Sequence, residues 1–222
     1  MRPTPDRAAD PKNDAVRLAI EAADAASLRE LIRADPARAD ADVHWGEGGK
    51  NVVPPLHYVC DAVFRGQATQ AQALELANVL LEAGVDPERA YAKSGDTFLI
   101  SAASLGAQSV ALRLVELGVD VGKRGLFGAT ALHWAANLGL DRLALALLER
   151  GADLELGDAH YGGSPLQWAL HGWTDRADGD REGLLRVVRL LVERGAQVST
   201  DPTTVRARES DERMRDALAA KR

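Results

Sequence analysis

The sequence predicts an all-α solenoid of stacked helical hairpins joined by β-turn fingers. Three observations predict it. Gly128 to Asp153, GATALHWAANLGLDRLALALLERGAD, reads as one complete helix–turn–helix unit. Its start recurs at Pro54-Pro55-Leu56-His57, Thr97-Phe98-Leu99-Ile100, Thr130-Ala131-Leu132-His133 and Ser164-Pro165-Leu166-Gln167. Its stop recurs as a glycine at Gly84, Gly118, Gly151 and Gly195. Thr97 to Thr130 is 33 residues, Thr130 to Ser164 is 34, and Gly118 to Gly151 is 33. Two landmarks that keep phase independently mark an internal repeat.

Each part of the unit has a local cause. Thr130 can cap the first helix through its hydroxyl. Leu132, Ala135 and Ala136 give that helix its apolar stripe, and Gly139 ends it. Leu143, Ala144, Leu147 and Leu148 do the same for the second helix. Gly151 stops it by taking the left-handed conformation a helix C-cap requires. Helices of about ten residues do not persist alone in water. The unit must therefore bury itself against copies of itself.

A period near 33 with this start resembles the ankyrin-repeat family, over nearly the whole chain. The resemblance implies about five repeats including an N-terminal cap, near 14–53, 54–96, 97–129, 130–163 and 164–198. A C-terminal capping helix in 199–222 completes a single domain over 13–222. It also implies a non-enzymatic module that binds a protein partner through a concave face of fingers and first helices. Phe98, Ile100 and Ala131 depart from the family's start motif. Ala107 and Leu140 stand where a histidine often follows the mid-repeat glycine. These departures touch local hydrogen bonding rather than the fold.

Taken in order, residues 1–12 are rich in Pro, Asp and Arg and read as a disordered tail. In 14–35, Val16, Leu18 and Ala19 form one stripe and Leu28, Leu31 and Ile32 another; Asp35-Pro36 replaces the stop glycine. Residues 36–53 make a longer connection. Gly46 to Asn51 only half matches a phosphate loop: His44 stands at the first Gly, Asn51 replaces Ser/Thr, and no strand is expected before it. The glycines are expected to fold an extended turn back. The second repeat holds nine extra residues around Phe64 to Gln72, whose helix formers predict longer helices. The fifth holds ten extra near Trp173 to Glu182, read as a solvated loop. Its Asp178-Gly179-Asp180 fails the calcium-loop spacing, because Ala177 and Gly179 fall where oxygen ligands belong. At the C-terminus, Met214 and Leu218 share one helical face. The arginines there alternate with acids, as on a salt-bridged surface.

The composition excludes several functions. Net charge is −6, with 27 basic and 33 acidic residues, which argues against a phosphate-backbone binder. No apolar run suits a signal peptide or a membrane span, so the expected compartment is the cytoplasm. The single cysteine, Cys60, falls in phase with Ala103 and Ala136 and reads as a small core residue. No H-E-x-x-H, Cys-His spacing or G-x-S-x-G occurs, so no catalytic residue, metal or cofactor is expected. The resemblance gives His57 and His133, fourth in the start motif, a structural role between neighbouring repeats.

Carried over by phase, finger-tip positions include Lys93, Leu126, Phe127, His160 and Tyr161. Exposed first-helix positions include Asp61, Ala62, Ser104, Leu105, Asn137, Leu138, His171 and Gly172. Leu105, Leu126, Phe127, Leu138 and Tyr161 then form an apolar and aromatic stripe, the expected partner surface. Finger-against-finger packing is the competing reading for Leu126 and Phe127, an equal one for Phe127, while Tyr161 and His171 are read as binding residues. Trp134 and Trp168 are expected largely in the core. The partner is an unnamed protein and the chain is expected to be a monomer. Two alternatives stand beside this reading: a small-ligand or metal site near His160 and His171, and a module that inhibits the protein it covers.

Overall fold

A computed structural model describes residues 13–91, 94–175 and 180–219. The expected tail and Lys93 lie outside them. The chain divides into two compact units, Met1–Val85 and Asp86–Arg222.

The first unit holds two helical hairpins, α1 (Asp14–Glu21) with α2 (Ala25–Ala34) and α3 (Pro55–Phe64) with α4 (Gln70–Glu82). They stack in phase: α1 packs on α3 and α2 on α4. Val16, Ile20, Leu28 and Ile32 are buried between them. Leu18, expected on this stripe, is 55% exposed. Two residues are about 200° of helical turn, so Leu18 points away from both Val16 and Ile20. Ala62, expected on the exposed face, is buried because it is needed in the core of α3.

A strand does precede the glycines, contrary to expectation. β1 (Val43–Trp45) pairs antiparallel with β2 (Asn51–Val53), Val43 opposite Val53 and Trp45 opposite Asn51. Gly46, Gly48 and Gly49 turn the chain between them at φ of 77°, 67° and 69°. The fold-back is thus as predicted, and it is built as a hairpin. A phosphate loop leads from strand into helix, whereas these glycines lead from strand to strand. The extra residues of this repeat lengthen its helices: α3 and α4 run 10 and 13 residues, against 8 and 9 for Ala131–Leu138 and Asp141–Glu149. Cys60 is fully buried in α3, its Sγ 3.5 Å from the Leu56 carbonyl, and burial pushes its thiol pKa up.

The second unit holds α5 (Phe98–Ser104), α6 (Gln108–Glu116), α7 (Ala131–Leu138), α8 (Asp141–Glu149), α9 (Pro165–Asp175), α10 (Arg181–Glu193), α11 (Pro202–Ser210) and α12 (Glu212–Ala219). First helices pack in the order α5, α7, α9, α11, and second helices in the order α6, α8, α10, α12. The stop glycines Gly118, Gly151 and Gly195 have φ of 83°, 84° and 98°, the left-handed caps the sequence calls for.

Two expectations change here. The C-terminal cap is a helical hairpin rather than one helix, because Asp201-Pro202 starts α11 and Asp211 breaks it before α12. Met214 and Leu218 are buried as expected. The extra segment of the fifth repeat is partly helix: Trp173 to Asp175 extend α9, and Arg181 and Glu182 begin α10. The remainder, 176–179, lies outside the described residues. Trp173 is 2% exposed, donates its indole N–H to Ser210 Oγ (2.9 Å) and carries the Arg181 guanidinium 4.5 Å over its ring. Gly172, expected on the surface, is buried, and a Cβ there would come within 2.2 Å of the Asn137 carbonyl oxygen. α7 and α9 therefore approach more closely than a side chain permits.

Candidate functional site

The fingers of the second unit are laced to one another by main-chain and side-chain hydrogen bonds. Leu126 N–H donates to Asp96 Oδ1 (2.8 Å), Ala159 N–H to the Phe127 carbonyl (2.8 Å) and Arg124 to the Gly157 carbonyl (2.8 Å). The lacing leaves side chains free: Leu126 and Phe127 are 44% and 48% exposed, and Tyr161 is 86% exposed.

Asp158 shapes the last finger. Its Oδ1 accepts from the N–H of His160 (2.8 Å) and Tyr161 (2.7 Å). Its Oδ2 accepts from the N–H of Gly163 (2.9 Å) and the indole of Trp168 (3.0 Å). Burial alone would raise the Asp158 carboxyl; these four donors outweigh it and hold the pKa at about 2. Asp201, the cap of α11, behaves likewise. Burial is outweighed by bonds from the Ser199 and Thr204 hydroxyls, the Thr204 N–H and Gln167, and its pKa also falls to about 2.

His133 is fully buried and ties one repeat to the next finger. Thr130 N–H donates to Nδ1 (3.1 Å), so Nδ1 carries no proton and Nε2–H donates to the carbonyls of Leu156 (2.9 Å) and Gly163 (3.2 Å). Burial lowers its pKa against those carbonyl bonds, which keeps the ring neutral. The structural role implied for His133 is what this geometry provides.

Between fingers and first helices lies a groove of about 590 Å³. Trp134 and Trp168 line it, along with Phe127, His160 and Tyr161 from the fingers. Asn137 and His171 face it from α7 and α9, and Asp201 and Thr203 bound it from the cap. The two tryptophans, expected largely in the core, are intermediate in burial and show part of each ring to the groove. Leu132, Ala135 and Ala136 already fill the core beneath α7. The indoles, one period apart, meet edge to face at 4.9 Å and 83° across the groove. His160 and Tyr161 form a second perpendicular pair at 4.5 Å, and Phe127 meets His160 at 6.0 Å.

Five of the sequence-selected residues thus come together: Phe127, Asn137, His160, Tyr161 and His171. Leu126 is exposed beside the groove without lining it. Ser104, Leu105 and Leu138 are half-buried and also outside its lining; Ser104 Oγ turns back to the Ser101 carbonyl (3.1 Å). Sequence reasoning missed Trp134, Trp168, Asp158 and Asp201. Asp158 had a signal, an aspartate four and five residues before Gly162-Gly163, the pattern of a side chain closing a turn.

Residues 65–158 match the family model described as ankyrin repeats (3 copies). Residues 65–158 carry ankyrin repeats. No curated protein matches it. Ankyrin repeats are generally protein–protein interaction modules and typically non-enzymatic. The hairpins α9–α10 and α11–α12 lie beyond the matched segment and continue the same stacking. Among the described residues no three His, Cys, Asp or Glu side chains gather in a metal-binding group, and no helix is long and apolar enough to cross a membrane. The Asp158 carboxylate beside His160 already accepts four bonds, which leaves it poorly placed as a metal ligand.

Proposed function

We propose that this ankyrin-repeat chain binds a protein partner in the groove between the fingers and the first helices α7 and α9. One observation carries the reading. Tyr161, 86% exposed, and Phe127, 48% exposed, stand over a floor of partly buried tryptophans. Large aromatics left in contact with water are the usual anchors of interfaces. Their backbones are held by finger lacing, by His133 and by Asp158, so the surface is preformed and loses little entropy on binding. Finger-against-finger packing does not account for Phe127, because half its surface stays in water.

The test is affinity capture with the wild-type chain beside a Phe127→Ser/Tyr161→Ser variant of equal helicity. A partner kept by the wild type and lost by the variant is expected. A partner held equally by both would move the interface away from the groove.

A further inference from the structure

We infer that the partner segment is basic, and that it places an arginine or lysine side chain in the groove among Trp134, Trp168 and Tyr161. This rests on the groove being the binding site. The argument is complementarity of charge and π surface. Among the described residues, the charged side chains lining the groove are Asp158 and Asp201, with no lysine or arginine beside them. Arg124 of the preceding finger is directed to the Gly157 carbonyl (2.8 Å). Both carboxylates are saturated by donors of their own fold, so they act on a ligand as fixed negative charge behind the aromatic walls rather than as direct partners. His171 Nδ1 lies 3.0 Å from the Asp175 carboxylate, which adds a further acid beside this end of the lining.

The walls suit the same ligand. Aromatic faces attract cations, arginine most of all, and do so more strongly where water is displaced. Perpendicular ring pairs, Trp134 with Trp168 and His160 with Tyr161, offer a face and an edge at each end of the groove. An acidic segment would meet two like charges, and a purely apolar one would leave them without a counter-charge. Polar contacts for a peptide backbone are also present: Asn137 Nδ2 donates to the Trp168 carbonyl (3.1 Å) and keeps its amide oxygen as an acceptor.

The experiment is selection of the full chain against a random peptide library displayed on phage, followed by titration of the synthetic winners. The expected result is a consensus with Arg or Lys at one position, whose replacement by Gln weakens binding at least about tenfold. His171→Lys, which adds a fixed cation to the lining, should weaken it by a similar factor. Phe64→Ser, an exposed aromatic of α3 outside the groove (69% exposed), should not. An acidic or wholly apolar consensus that still needs Tyr161 would overturn the inference and leave the groove as the site. A basic consensus indifferent to Tyr161→Ser would overturn the groove itself. A library that yields no enrichment also counts against the inference.

Discussion

Replacing Asp158 by Asn tests how the last finger is held. The change is nearly isosteric, yet each carboxylate oxygen accepts two bonds, at 2.8 and 2.7 Å on one and 2.9 and 3.0 Å on the other. Whichever way the amide turns, its NH₂ faces two donors. Two bonds are lost and the remaining two are no longer charge-assisted. Net bonds to a charged acceptor contribute about 1.5–3 kcal/mol each, and water reaches the exposed His160 and Tyr161 to replace part of that. The expected loss is about 2–4 kcal/mol, a large share of the stability of an ordinary domain. Repeat arrays open locally, so the assay should be urea unfolding by tryptophan fluorescence together with amide exchange at Tyr161 and Gly163. Both amides should exchange faster in the variant. The pH dependence adds a second reading. The folded carboxyl titrates at about 2 and an unfolded one near 3.9, so its stabilisation is present above about pH 4 and is lost as pH falls toward 2. After solvent screening that amounts to about 1–2 kcal/mol, and the variant should lack it. A loss under about 0.5 kcal/mol with unchanged exchange would refute the reasoning.

Four further outcomes follow from the geometry. His133→Leu leaves the Thr130 N–H and the Leu156 and Gly163 carbonyls without their ring partner, so urea denaturation should show a loss of about 2–4 kcal/mol. Because the folded His133 pKa is lowered, the wild type should lose stability on acidification below about pH 6.5 and the variant should lose less of it. Gly172→Ala drives a methyl against the Asn137 carbonyl and should cost about 1–3 kcal/mol in a thermal or urea melt, with changed Trp134 and Trp168 fluorescence. Cys60 should resist a maleimide or disulfide reagent in the native chain and react fully in denaturant; rapid native labelling would show that α3 opens.

The repeat was legible because its punctuation has strict physical demands. Gly118, Gly151 and Gly195 must be left-handed, and Thr97 and Ser164 must start helices, so both can be read without the fold. The groove was legible at its rim, where the finger tips and the residues seven and eight after each helix cap follow the phase. Its floor was not. Trp134 and Trp168 sit where phase alone suggests core, and the filled space beneath α7 and the contact between neighbouring indoles leave part of each ring facing the groove. Leu18 shows the same limit on a smaller scale, being apolar but on the wrong side of α1. Helix lengthening was predicted correctly around Phe64 to Gln72, where Phe64 ends a longer α3, 65–69 make the turn and Gln70 begins a longer α4. It was missed at Trp173 to Asp175, where Gly172 hid the fact that α9 continues and buries Trp173. Asp201-Pro202 was an unread start signal for the C-terminal hairpin.

The most direct test of the groove is hydrogen exchange of the chain with and without its captured partner. Protection on binding is predicted in the fingers at 126–128 and 158–163 and along the groove-facing turns of α7 and α9. Protection confined to the second helices α6, α8 and α10, or to the β1–β2 hairpin, would contradict it.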